Sequence, residues 1–113
     1  MNYSSIAIPD SEVPQAANPL FQHVLSTYAS ETNKVVSVWQ EFSVESLAFR
    51  PHPRSSTVRE IMRHQLLSER RFFGEFLGVP EPLAEQVVPA TESPAEFAAK
   101  LAALARPRLQ YLV

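Results

Sequence analysis

The chain contains no cysteine. That excludes a disulfide framework, thiolate catalysis and thiolate metal ligation by these residues. Glycine is nearly as scarce: Gly74 and Gly78 stand alone against ten prolines. So few glycines disfavour a fold of tight hairpins, whose turns need positive φ. Neither sign of charge dominates, with ten Lys and Arg against twelve Asp and Glu and a net charge of −2. A broad nucleic-acid surface or a polybasic membrane address needs a basic excess, so neither partner is expected. No apolar run approaches the ~20 residues of a membrane span. The opening MNYSSIAIPDSEVPQ has no basic region and no long apolar segment, so it does not read as a signal peptide. A cytoplasmic protein fits this pattern.

What is present is globular composition, 45% hydrophobic and 19% charged, in 113 residues, the size of one small domain. Residues 1–17 show no sustained period and are broken by Pro9 and Pro14, so they read as an extended arm, with Ile6 and Ile8 able to pack or to fray. The first helix is predicted from Asn18 to Phe42, with Asn18 as N-cap and Pro19 at the first helical position. Leu20, Phe21, Val24, Leu25, Tyr28, Val35, Val36, Trp39 and Phe42 recur at steps of three and four and read as one apolar face. His23, Ser30, Ser37 and Glu41 fall opposite. Ser43 to Ser56 connects, and its prolines around His52 forbid a regular helix. Thr57 and Glu60 form a capping box for a second helix that ends near Leu77, with Gly78 at its C-terminus. Its apolar face is Val58, Ile61, Met62, Leu66, Phe72, Phe73, Phe76 and Leu77, interrupted by Gln65 and Glu69. Residues 79–92 form a proline-rich connection. Ser93 and Glu96 then cap a third helix with Phe97, Leu101, Leu104 and Leu112 on its apolar face, and Pro107 is expected to kink or interrupt it.

These elements predict an all-α, antiparallel up-down bundle. The apolar faces are wide, and Tyr111-Leu112-Val113 brings no C-cap glycine or polar tail. The expectation is therefore a fourth helix, from further sequence or a second chain.

Three histidines are the candidates for chemistry. His23 lies on the polar face and reads as solvated surface. His52 sits in a rigid loop without a ligand-spaced partner and reads the same way. His64 falls ~60° outside the apolar face at ~100° per residue, a margin that points along a helix seam. Two readings stay open for it: a metal ligand, or a boundary histidine bonded to a carboxylate. A lone histidine is one ligand where three or four are needed. Glu69 and Gln65 can satisfy each other or Tyr28, and Glu69 can pair with Arg63, Arg70 or Arg71. Glu69 could instead orient a metal ligand, or act as a general base raised by burial. Phe72, Phe73 and Phe76 read as core. No phosphate-binding glycine loop or Ser-His-Asp order is present.

The stretch FRPHPRSSTVREIMRHQLLSERRFFGEFLG resembles the DinB family of metal-dependent enzymes. The resemblance rests on a capped helix with a histidine, a glutamate five residues later and an aromatic beyond it: Thr57, His64, Glu69 and Phe72–Phe73. It extends over residues 18–113, with residues 1–17 as an arm outside it. It implies a four-helix bundle holding a divalent metal, zinc or nickel, on three histidines. One maps onto His64, with Glu69 behind it. The other two come from an HxxxH pair on the last helix, and this sequence contains no HxxxH. The resemblance also implies a metal-dependent transferase or hydrolase acting on a small molecule, with a low-molecular-weight thiol as co-substrate. The competing expectation is a non-catalytic helical interaction module that buries its open apolar face against a partner or against a copy of itself, as a homodimer through its helix faces.

Overall fold

The computed structural model describes residues 6–113, which are all-α. The helices among the described residues are α1 (Pro19–Trp39), α2 (Val58–Arg71), α3 (Ala84–Val87) and α4 (Pro94–Tyr111). None is long and apolar enough to cross a membrane.

The helix starts follow the capping chemistry of the sequence. Asn18 Oδ1 accepts the Leu20 amide at 2.9 Å. Thr57 Oγ1 accepts the Glu60 amide at 3.1 Å, and Glu60 accepts the Thr57 amide at 3.1 Å. Ser93 Oγ accepts the Glu96 amide at 3.1 Å. Each cap satisfies an amide that the first helical turn leaves without a partner. The ends differ more. α1 stops at Trp39 rather than Phe42, because the Glu41 and Phe42 amides tighten onto the carbonyls of Val38 and Trp39. α2 runs into a π turn over Phe72–Phe76, closed by Leu77 N–H on the Phe72 carbonyl at 3.3 Å. Gly78 follows at φ 69°, where a residue with a side chain is disfavoured. Two connections hold short helical pieces that were expected as plain loop: a 3₁₀ segment at Val44–Ala48, and α3. Pro107 does not interrupt α4, which continues to Tyr111. Pro107 and Ala103 are both exposed, so water can satisfy the carbonyl that loses its helical donor.

α4 packs on both α1 and α2. One part of the core joins Val36 and Trp39 of α1, Met62 and Leu66 of α2, Val87 of α3 and Phe97, Ala98 and Leu101 of α4. A second part joins Leu25 and Ala29 of α1 to Ala105 and Leu109 of α4. Burying one such Leu or Phe side chain stabilises by ~1.5–3 kcal/mol.

Residues 1–5 of the expected arm lie outside the described residues. The rest of the arm is docked rather than extended and loose. Ile8 is buried in the second core cluster. Its amide donates to Asn33 Oδ1 at 2.8 Å, and its carbonyl accepts from Asn33 Nδ2 at 2.9 Å. Gln22 repeats this on Ala16 and Pro14, and Arg106 holds Glu12 at 3.0 Å.

The single broad apolar face expected on α1 is in fact two stripes. Its buried residues are Leu25, Ala29, Thr32, Asn33, Val36, Ser37 and Trp39. Ser37, expected on the solvent side, is buried, while Leu20, Phe21, Val24 and Phe42 are exposed. Small side chains at Ala29, Thr32 and Ser37 make the buried stripe, and Asn33 is covered because it holds the arm. On α2, Phe73 alone of Phe72, Phe73 and Phe76 is buried. The expectation that all three are core is corrected.

Candidate functional site

Two features converge between α1 and α2: a buried polar cluster, and an apolar groove lying open beside it.

The cluster is built on Arg108, which sits one turn after Leu104 on the buried face of α4. Its side chain is 0% exposed. Nη1 donates to Glu69 Oε1 at 3.1 Å and to Tyr28 Oη at 3.3 Å. Nε and Nη2 address Glu81, in the connection before α3, at 3.2 and 2.5 Å. The guanidinium carbon lies 4.8 Å from the Phe73 ring centroid, a cation–π contact. Tyr28 Oη donates to Glu69 Oε1 at 2.9 Å, and Gln65 Nε2 donates to Glu69 Oε2 at 2.5 Å. Among the described residues, no buried side-chain polar atom lacks a partner. Burial pushes the Tyr28 phenol well above its ordinary value, and the neighbouring Glu69 carboxylate adds to the rise. Burial acts to lower the Arg108 pKa, yet its hydrogen bonds to Glu81 and Tyr28 outweigh that and hold it above its ordinary value.

The interruption at Gln65 and Glu69 is thereby explained. Both serve the cluster, and Glu69 takes Tyr28 as one of the expected partners. The arginines considered for it are engaged elsewhere. Arg63 pairs with Glu92, Arg71 with Glu75, and Arg70 donates to the Pro82 carbonyl. Arg108 and Glu81 were missed by the sequence reading. The available signal was position: Arg108 follows Leu101 by seven residues and Leu104 by four, on the same helix face.

The histidines do not come together. His64 is exposed, and its Nε2 lies 3.1 Å from Ser68 Oγ one turn on. The hydrogen bonds of Glu69 run to Tyr28, Gln65 and Arg108. His52 Nδ1 accepts the Arg54 amide at 3.1 Å within its loop. His23 lines a shallow hollow on α1 with Val24, Thr27, Tyr28 and Glu31. Among the described residues no three His, Cys, Asp or Glu side chains are grouped to hold a metal ion. The donor set therefore does not fit a three-ligand zinc or nickel centre; His64 offers a single imidazole.

The groove is made by what α1 and α2 leave exposed. On α1, Phe21, Val24, Tyr28, Glu31, Val35 and Val38 follow a 3-4-3-4-3 spacing, the repeat of a helix seam, and Phe42 extends the stripe in the turn just past the helix. Phe21, Val24, Val38 and Phe42 are 48%, 43%, 56% and 37% exposed. On α2 and its π turn, Ile61, Phe72 and Phe76 are 53%, 50% and 70% exposed, with Gln65 and Ser68 between them. The stripes meet at a cleft of ≈ 210 Å³ lined by Val38, Trp39, Phe42, Val58, Ile61 and Met62. Further along, the Tyr28–Glu69 bond and the Tyr28–Phe73 ring contact, 5.3 Å between centroids, span the two helices.

The sequence profile of the DinB superfamily matches residues 27–112, and the chain belongs to that superfamily. The match spans α1 from Thr27 onward, all of α2 and α3, and all of α4. Neither a curated protein nor a solved structure matches the chain significantly.

Proposed function

We propose that this chain is a helix-receiving module of the DinB type, whose α1–α2 groove takes one further amphipathic helix to complete an antiparallel four-helix bundle. The observation that carries this is the heptad-spaced stripe on α1, exposed at Phe21, Val24, Glu31 and Val38 and part-buried at Tyr28 and Val35, which shares a cleft with the exposed Ile61 of α2. An isolated water-facing surface gains nothing from a 3.5-residue apolar repeat, whereas a docked helix inserts its side chains into it. The cleft beside Trp39 supports the same reading.

The test uses Trp39, the only tryptophan in the chain. The intact chain is titrated with a tryptophan-free amphipathic peptide carrying leucine heptads. The expected result is a saturable change in Trp39 emission. It is absent in the Val38→Glu/Ile61→Glu variant, whose far-ultraviolet circular dichroism stays that of the parent. No response in the parent chain, held at a concentration where sedimentation shows it monomeric, overturns the reading.

A second reading is favoured by the place of His64 at the outer edge of the open α2 stripe. Its exposed imidazole can join donors brought by the docked helix, with zinc or nickel as the ion. The assembled protein would then be a metal-dependent transferase or hydrolase for a small molecule, with a low-molecular-weight thiol as co-substrate. The superfamily membership supports this reading.

A further inference from the structure

We propose that the helix received by the groove is α1 of a second copy of this chain, set antiparallel across a two-fold axis near Glu31. The proposal rests on the groove reading above and adds the identity of the partner. Its first support is self-complementarity. The stripe runs from Phe21 near the start of α1 to Phe42 in the turn just past its end, so its midpoint falls beside Glu31. Reversed on itself, it sets Phe21 against Phe42 and Val24 against Val38, large on large at the ends and Val on Val inside. An isologous interface requires this kind of self-match.

The second support is charge. Glu31 is the only charged residue in the stripe, and it lies at the midpoint with Lys34 bound to it at 2.8 Å. Across a two-fold axis two such pairs meet, and each glutamate can face the other copy's lysine. The third support is area. The exposed parts of Phe21, Val24, Val38, Phe42, Ile61, Phe72 and Phe76 amount to on the order of 600 Å² of apolar surface, taking ~150–250 Å² for a whole aromatic side chain. That is at the upper limit of the largest patch a typical monomer shows, ~300–600 Å². Gln65, Ser68 and the central Glu31–Lys34 pair add polar surface towards the ~800 Å² per partner of a stable interface.

The absence of cysteine makes the geometry testable by cross-linking in the intact chain. Under mild oxidation the Glu31→Cys variant is expected to form a disulfide dimer rapidly, since the axis brings its two copies together. The Phe42→Cys variant is expected to stay uncross-linked, because two copies of position 42 lie on the order of 30 Å apart at ~1.5 Å per residue. The Phe21→Cys/Phe42→Cys variant is expected to cross-link again. By sedimentation the parent is expected to be a dimer, and the Val38→Glu variant a monomer with unchanged helical signal. A parent that is monomeric at high micromolar concentration overturns the proposal. So does cross-linking at position 42 as fast as at 31, or a dimer that survives Val38→Glu. A monomeric parent that still binds the leucine-heptad peptide leaves the groove reading standing and removes only the second copy as its occupant.

Discussion

Arg108 and Glu69 are joined in the interior by a 3.1 Å contact between Nη1 and Oε1, across from α4 to α2. The arginine side chain is fully buried, and Glu69 is 20% exposed. The contact is part of a closed set, since Tyr28 and Gln65 satisfy the rest of Glu69 and Glu81 the rest of Arg108. A buried charge is tolerable only under such complete pairing. The cluster therefore fixes how α1, α2, α4 and the connection before α3 meet.

Removing the cation leaves two carboxylates short of their partner. Arg108→Met is predicted to lower the unfolding free energy by ~3–5 kcal/mol in urea melts. The Arg108→Met/Glu81→Met variant is predicted to recover more than half of that loss, because the most buried unpaired carboxylate is gone. A single variant as stable as the parent contradicts the role given to Arg108.

The Tyr28 phenol is held neutral by burial and by Glu69. In the unfolded chain it titrates near ~10. Its folded value is raised, so its contribution to stability is complete below ~10 and is lost as the pH rises above that value. A titration followed at 295 nm should show one late tyrosine component, absent in Tyr28→Phe. The Tyr28→Phe variant should also lose stability less steeply above pH ~10. An unchanged late component in that variant contradicts the assignment.

Thr57 and Glu60 behave in the opposite sense. The Thr57 amide bond first, and the Thr57 hydroxyl second, hold the Glu60 carboxyl below its ordinary value. Its contribution is present above the ordinary carboxylate range and is lost as the pH falls through the lowered folded value. Thr57→Ala is predicted to cost ~1 kcal/mol at neutral pH through loss of the cap. The gap between parent and variant should narrow in acid. A gap independent of pH contradicts the reciprocal bond.

The legible part of this molecule was its local chemistry. Asn18, Thr57 with Glu60, Ser93 and Gly78 marked helix ends because capping acts over a few residues. Gln65 and Glu69 were visible as a breach in an apolar face. Their partner was not visible, because Arg108 lies 39 residues from Glu69 and sits beside Pro107, where an arginine reads as solvent-facing. The two stripes of α1 merged into one for a related reason. Leu25 and Val24 are neighbours in sequence, and periodicity alone cannot say which stripe meets α4 and which meets nothing. The small residues Ala29, Thr32 and Ser37 decide it, since they permit close helix approach. Glu69 beside Arg108 shows the same limit: pairing at long range is set by packing.

His64 carries a metal prediction of its own. The chain is predicted to bind zinc or nickel weakly, with affinity reduced further in His64→Ala, as measured by calorimetry on chelator-treated protein. One imidazole is a small part of a three- or four-ligand shell. Tight stoichiometric binding that survives His64→Ala contradicts the assignment of His64.

The account turns on the claim that α2 has an open stripe next to a packed one, and Ile61 and Met62 divide the two. They are adjacent in sequence, 53% and 1% exposed. The most direct test is urea unfolding of Ile61→Ser and Met62→Ser, at concentrations low enough for the chain to be monomeric. The prediction is a change within ~0.5 kcal/mol for Ile61→Ser and a loss of ~2–5 kcal/mol for Met62→Ser. Comparable losses at the two positions would contradict it, since Ile61 would then belong to the core and no groove would be left to fill.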